Sequence, residues 1–174
     1  MNKKQKILYL VRHAKSSWDD ASLHDRERPL NKRGRRSAID MGKQLAEQGH
    51  KPGIIVASPA KRAYSTAKKI AKQLGSEAPH VIKDDRLYFS GLINMLGVVE
   101  ELDDRFDKAM IVGHNPAMTN LLNALCDTSV INMPTCAIAV IGFDIESWAD
   151  LDSTDGELLG YDYPKGPGNF AVSL

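Results

Sequence analysis

The chain has 174 residues, of which 43% are hydrophobic and 26% are charged, and its formal net charge is +1. These values are typical of a soluble globular domain with a sizeable core, so we predict a single domain over residues 1–174. The balanced charge gives no electrostatic case for nucleic acid or a membrane as the main partner. The basic cluster at residues 32–36 is the local exception, and we interpret it as the solvated start of a helix.

Targeting and metal-binding signals are weak. No apolar segment approaches the roughly 20 residues that span a membrane. The basic N-terminus precedes an apolar run that is too short for a signal peptide and that ends at Arg12. We therefore expect a cytoplasmic protein. Cys126 and Cys136 lack a metal-type spacing, and we interpret both as small core residues.

The pattern alternates between strands and helices along the chain. Residues 7–11 form a continuous apolar run, typical of a strand buried on both faces. A polar loop at 18–29 leads to a helix capped by Asn31 and ended by Gly49. Further strands are predicted at 54–57, 81–82, 109–113, 136–143 and 157–163, and further helices at about 59–74, 92–102 and 116–126. Ser58 is the predicted N-cap of the second helix, with Pro59 at its first position, and the tail at 164–174 is predicted not to be helical. The order predicts an α/β sandwich with a mainly parallel sheet.

Three of these strands are each followed by a cationic or imidazole side chain. Arg12 and His13 follow the first strand, Arg62 the second, and His114 the strand at 109–113. The carboxyl ends of parallel strands meet at one edge of a sheet, so these four residues are expected to converge. With no carboxylate at an equivalent position, they predict a site for a phosphoryl group. His13 is the better candidate nucleophile, because it lies inside the first loop beside Arg12, and His114 would donate across the phosphate.

The same segments resemble a known family. Residues 10–14, 58–67 and 112–116 look like the histidine phosphatase, or phosphoglycerate mutase-like, superfamily. Residues 12–18, 28–31 and 85–88 are similar to its SixA branch of phosphohistidine phosphatases, and the resemblance extends from about Leu8 to Trp148. It implies a three-layer sandwich with a mostly parallel central sheet flanked by helices, and no metal or cofactor.

The resemblance also implies roles for individual residues. His13 would be the nucleophile, and Arg12, Arg62 and His114 would bind the phosphoryl oxygens. Arg28 matches a further arginine that contacts phosphate in the SixA branch. From their position alone, Lys15 and Ser16 are candidates for lining the phosphate loop and binding substrate, and a role in shaping the loop is the alternative. The flanking arginines would repel a metal cation.

Two positions depart from the family pattern. Ala14 replaces the usual glycine, which excludes some backbone conformations. Phe89 stands where members that act on phosphate esters often carry a glutamate, two residues after Leu87, as the acid for the leaving oxygen. An alkoxide leaves poorly without an acid, whereas an imidazole needs less help near neutral pH. If an acid is present elsewhere, the candidates are Asp84, Asp85, Asp19 and Asp25.

The leading hypothesis is a metal-independent phosphatase that hydrolyses phosphohistidine on a protein through a covalent phosphohistidine at His13. One alternative is the same chemistry on a small phosphate ester or phosphosugar. The alternative from another class is a non-catalytic module that binds phosphate or a phosphoprotein. The expected partner is a phosphorylated protein or a small phosphorylated substrate.

Overall fold

The computed structural model describes residues 5–151 and 156–170. Within them, six strands form one sheet: β1 (Lys6–Arg12), β2 (Ile54–Ala57), β3 (His80–Lys83), β4 (Lys108–Gly113), β5 (Ile138–Phe143) and β6 (Glu157–Asp162). Four helices accompany them: α1 (Lys32–Glu47), α2 (Lys61–Gln73), α3 (Leu92–Glu100) and α4 (Ala117–Cys126). None of the helices in the described residues is long and apolar enough to cross a membrane. The end of the predicted tail, residues 171–174, lies outside the described residues.

The sheet is mixed but mostly parallel, as predicted. Its strand order is β3-β2-β4-β1-β5-β6. The first four strands of this order are mutually parallel, whereas β5 runs antiparallel to β1 and β6 antiparallel to β5. The register pairs Arg12 with Gly113 and Ala57 with Val112, so β1, β2 and β4 end side by side. The residues that follow these three strands therefore share one edge of the sheet.

Helices cover both faces of the sheet and complete the three layers. Side chains of α1 and α2 share a core with Ile7, Tyr9 and Val11 of β1. Side chains of α3 and α4 share the opposite core with Leu8 and Leu10. Successive residues of a strand point to opposite faces, and both faces of β1 are buried, which explains its continuous apolar run.

Most predicted boundaries agree with the structure to within a few residues, but the predicted N-cap and first position of the second helix were wrong. Asn31 caps α1 as predicted, because its side-chain oxygen accepts from the backbone N–H of Gly34 at 2.7 Å. The helix α2 begins at Lys61 with Ala60 as its N-cap, so Ser58 and Pro59 precede it. The hydroxyl of Ser58 bonds to the ring of His114 at 2.7 Å, and this tertiary contact was invisible in the local pattern.

The loop after β1 is held by the helices on both sides. The Ala14 N–H donates to Thr66 of α2 at 3.0 Å, and the Lys15 carbonyl accepts from the Asn31 N–H at 3.0 Å. At Gly34, in the first turn of α1, an added Cβ would overlap the carbonyl oxygen of Lys15. Glycine is therefore required at position 34 so that the helix backbone can approach the loop.

We expect Gly34→Ala to lower the free energy of unfolding by about 1–3 kcal/mol, because the overlap involves backbone atoms that cannot rotate away. Urea denaturation followed by circular dichroism measures this change. Gly97→Ala is the matched control, since the nearest atom to its Cβ is 3.6 Å away on the flexible Arg86 side chain. That variant should be neutral or stabilised by up to about 1 kcal/mol, because alanine favours a helix. Equal effects at the two positions would contradict the close packing of α1 on the loop.

Candidate active site

A cavity of about 400 Å³ opens at the edge of the sheet where β1 and β4 end. Its walls contain all but one of the seven residues predicted to form the site, together with four other residues. The lining consists of Arg12, His13, Lys15, Ser16, Trp18, Asp25, Arg28, Arg62, Phe89 and Thr135. The exception is His114, which is not on the cavity wall but contacts the ring of His13, with 5.0 Å between ring centroids. Residues from five separate parts of the chain thus meet in one place.

His13 is held in one tautomer by its own loop. Its backbone N–H donates to the Gly113 carbonyl at 2.9 Å, which extends the pairing of β1 with β4. Its Nδ1 lies 2.7 Å from the carbonyl oxygen of Ala14. A carbonyl can only accept, so Nδ1 carries the proton and Nε2 keeps its lone pair. A neutral ring with a free Nε2 is the form that can attack an electrophile.

The surroundings of His13 also keep its ring neutral. Burial lowers the pKa of His13 to about 4, and the positive charges of Arg62, Arg12 and Arg28 act in the same direction. The hydrogen bond to the Ala14 carbonyl opposes this change but does not cancel it. Because the charged form is disfavoured, His13 is unprotonated at neutral pH.

His114 lies deeper than His13 and is covered by an aromatic ring. It is 3% exposed, and Phe89 stacks on it with 4.9 Å between ring centroids. Its Nε2 is hydrogen-bonded to Ser58, and its Nδ1 is buried without a partner among the described residues. Burial lowers the pKa of His114 to about 3, reinforced by His13 and Arg62, so this ring is neutral as well.

Three arginines line the cavity, and each is oriented by other polar groups. Arg12 donates to the Met133 carbonyl at 2.7 Å, while its Nε is buried without a partner in the described part of the chain. Arg28 is 7% exposed, donates to Ser16 Oγ at 2.5 Å, and stacks on Trp18 with its guanidinium carbon 3.2 Å from the ring centroid. Guanidinium groups held in this way are suited to bidentate binding of phosphoryl oxygens.

A carboxylate from the loop between β1 and α1 lies between two of these arginines. Asp25 accepts from Arg62 at 2.9 Å through Oδ2 and from Arg28 at 3.2 Å through Oδ1. The Arg62 guanidinium also donates to the Asp25 carbonyl at 2.7 Å. No carboxylate was predicted at a strand end, and Asp25, one of the four candidate acids, reaches the site from a loop instead. Asp25 belongs to a loop rather than to a strand end, so the strand pattern could not reveal its position.

Asp25 is ionised in this position. Burial acts to raise its pKa, but hydrogen bonds from the Tyr88 hydroxyl, Arg62 and Arg28, together with the charge of Arg62, lower it to about 2. The Tyr88 bond is 2.7 Å long. The side chain is nevertheless 45% exposed, so it lies at the mouth of the cavity and not at its base. As placed, Asp25 cannot donate a proton at neutral pH.

The other candidate acids do not line the cavity. Asp84 caps the short turn at 85–87 and pairs with Arg86 at 2.8 Å. Asp85 is exposed and pairs with Arg26 at 3.1 Å, and Asp19 is also exposed. Phe89, which is predicted to replace a glutamate acid, lines the cavity and is 56% exposed. Asp25 is thus the only one of the four candidates in the cavity wall.

Comparisons with known proteins agree with this fold. A model of the histidine phosphatase superfamily, branch 1, matches residues 8–88. An uncharacterized chloroplastic protein of Arabidopsis thaliana is 32% identical over 161 residues, which cover 86% of this chain and 72% of that protein. The chain belongs to the histidine phosphatase superfamily.

Two solved structures have a similar fold. One is assigned as the phosphohistidine phosphatase SixA from Agrobacterium tumefaciens, with a TM-score of 0.77 and 24% identity, covering 91% of this chain and 98% of that one. The other is the protein histidine phosphatase SixA complexed with tungstate, with a TM-score of 0.76 and 22% identity, covering 91% of this chain and 97% of that one. The predicted phosphoglycerate mutase-like architecture is confirmed.

The electrostatics of His13 lead to a pH prediction. Because its pKa is lowered to about 4, the ring should gain a proton only as the pH falls through about 4, and not near 6.5. NMR titration of the His13 ring in the ligand-free protein measures this midpoint. Arg62→Gln should raise the midpoint, since it removes a positive charge. A midpoint near 6.5 in the unsubstituted protein would contradict the proposed environment of His13.

The position of Asp25 leads to a binding prediction. The carboxylate competes with phosphoryl oxygens for Arg62 and Arg28, so Asp25→Asn should bind inorganic phosphate or tungstate more tightly. We expect a gain of roughly two- to tenfold, the order of magnitude of a partly screened charge interaction. Isothermal titration calorimetry gives the dissociation constants. Asp85→Asn is the control, because it removes the same charge outside the cavity, and weaker binding by Asp25→Asn would show that Asp25 instead orients the arginines for phosphate.

Proposed function

We propose that the protein is a metal-independent phosphatase that removes the phosphoryl group from phosphohistidine on another protein, through a covalent intermediate on His13. The observation that carries this proposal is the neutral His13 ring, whose Nε2 has no hydrogen-bond partner among the described residues, in a cavity lined by three arginines. Membership of the histidine phosphatase superfamily supports a phosphatase, and the fold likeness to SixA structures favours phosphohistidine.

In the first step, Nε2 of His13 attacks phosphorus in line with the bond to the leaving group. The arginines at positions 12, 28 and 62 bind the phosphoryl oxygens and stabilise the charge that spreads over them. His114 donates to a phosphoryl oxygen through Nδ1, which carries the proton of the neutral ring when Nε2 accepts from the Ser58 hydroxyl. As the new P–N bond forms, the P–N bond of the substrate breaks, and its electron pair remains on the departing ring nitrogen.

The leaving group explains why no acid is needed. When the other nitrogen of the substrate ring carries a proton, the imidazole departs in its neutral form. The carboxylate of Asp25 at the cavity mouth stabilises that protonated ring, whereas it has no proton to give to an alkoxide. Phe89 also lacks a proton to donate. These two residues together favour a P–N substrate over a phosphate ester.

In the second step, water attacks the phosphorus of the phosphorylated His13. A new P–O bond forms, the P–Nε2 bond breaks, and the proton from water passes to solvent. The cavity is open enough to admit water, because Trp18 and Phe89 at its rim are 76% and 56% exposed. The same open rim suits a histidine displayed on the surface of another protein.

The test is phosphate release from a phosphohistidine-bearing protein and from para-nitrophenyl phosphate, with EDTA present. We expect rapid, EDTA-resistant release from the phosphohistidine protein and much slower release from the ester. His13→Ala should abolish release, while it still binds tungstate, because the arginines remain. His24→Ala, on an exposed residue outside the cavity wall, is the matched control and should keep full activity.

Other results would contradict the covalent mechanism or change the proposed substrate. Full activity of His13→Ala would overturn the covalent mechanism. Release from the ester alone would move the substrate to small phosphate esters. Tungstate binding without release from either substrate would favour a phosphate-binding module.

A further inference from the structure

A second cavity lies directly beside the candidate active site. It has a volume of about 230 Å³ and lies between the loop after β1, the first two turns of α1, and the segments that precede β5 and follow β6. Lys15 and Thr135 line both this cavity and the one that contains His13. Because the two cavities share these wall residues, a single bound molecule can occupy both.

Three cationic side chains, Lys15, Arg33 and Lys165, line this second cavity, whose lining is otherwise mostly apolar and contains no carboxylate. None of the three forms an ion pair within the described part of the chain. The active-site cavity differs in this respect, since Asp25 there neutralises part of the positive charge. The three side chains come from separate segments, so their approach is a product of the fold.

The remaining walls show what size and character of group would fit. Pro134, Tyr163 and Pro164 line the cavity beside the cations. Such a surface accommodates a short aliphatic stem, while the lysines and the arginine attract a negatively charged end. An acidic side chain has both features, as does a small organic acid or phosphate.

We propose that the basic cavity, lined by Lys15, Arg33 and Lys165, binds a second anionic group, a carboxylate or phosphate, on the substrate that delivers its phosphoryl group to His13. This inference rests on the proposed function and adds a determinant of specificity to it. In a phosphohistidine protein, the second group is an acidic residue near the phosphohistidine. The protein therefore selects phosphohistidines in acidic surroundings.

The test uses two pairs of substrates that differ in one anionic group. The first pair is a phosphohistidine peptide flanked by Glu and the same peptide flanked by Gln. The second pair is phosphoglycolate and ethyl phosphate, which distinguishes a small organic acid from a peptide as the source of the carboxylate. The measured quantity is the ratio of kcat/KM values within each pair, at low and at high salt.

We expect the unsubstituted protein to prefer the Glu peptide by roughly two- to fivefold for each ion pair formed, less at high salt. The double variant Arg33→Gln/Lys165→Gln should lose this preference while it keeps its activity on the Gln peptide. The matched control is Lys32→Gln/Arg36→Gln, which removes the same charge from α1 outside the cavity lining. This control should retain the preference.

Two results would overturn the proposal. One is the absence of any preference for the anionic member of either pair, and the other is an equal loss of preference in both double variants. If neither phosphohistidine peptide is hydrolysed, the proposed function fails, and phosphoglycolate and ethyl phosphate then test the second cavity separately. The proposal for this cavity is supported if the protein prefers phosphoglycolate and if Arg33→Gln/Lys165→Gln, but not the control variant, loses that preference. Any other result for these two substrates would overturn it.

Discussion

The concentration of positive charge at one edge of the sheet is the constraint on which the site depends. Arg12, Arg28 and Arg62 line a single cavity, and without a ligand their charges repel one another. The carboxylate of Asp25 relieves part of this repulsion, because it accepts from both Arg28 and Arg62. The polar loop between β1 and α1 therefore supplies a carboxylate that partly neutralises the arginines, which are otherwise suited to binding an anionic ligand.

The same charges set the chemistry of the two histidines. Positive neighbours and burial both disfavour a protonated ring, so His13 and His114 are neutral when the cavity holds no anion. In the proposed mechanism the neutral His114 donates through Nδ1 when its Nε2 accepts from Ser58, while the neutral His13 acts as the nucleophile. The same unprotonated state thus suits the two rings to different tasks.

Rigid packing behind the cavity keeps these groups in position. The loop after β1 is tied to α2 through Thr66 and to α1 through Asn31, and Gly34 lets the helix approach the backbone of Lys15. Ala14, predicted to replace a glycine, is fully buried in the core that contains α1 and α2. A side chain is therefore accommodated there, and the loop gains packing where a glycine would leave space.

The fold and much of the site followed from simple patterns in the sequence. The apolar run of β1, the Asn31 cap and the alternation of strands with helices are local signals, and they sufficed to predict the layers and the mostly parallel sheet. The convergence of Arg12, His13 and Arg62 followed from the rule that parallel strands end at one edge. The approach of Phe89 to His114, in contrast, had no local signal, because it depends on how the loop after β3 folds over the strand ends.

The sequence by itself determined the family, the arrangement of the sheet and the set of cationic side chains at its edge, because these depend on periodicity and on short motifs. Only the tertiary structure decided that Asp25 sits between two arginines, that Ser58 bonds to His114 instead of capping a helix, and that Lys15, Arg33 and Lys165 surround a second cavity. The physical reason is that these contacts join loops and helix starts distant in sequence. Their geometry depends on the packing of the whole chain, and no local pattern of residue types encodes it.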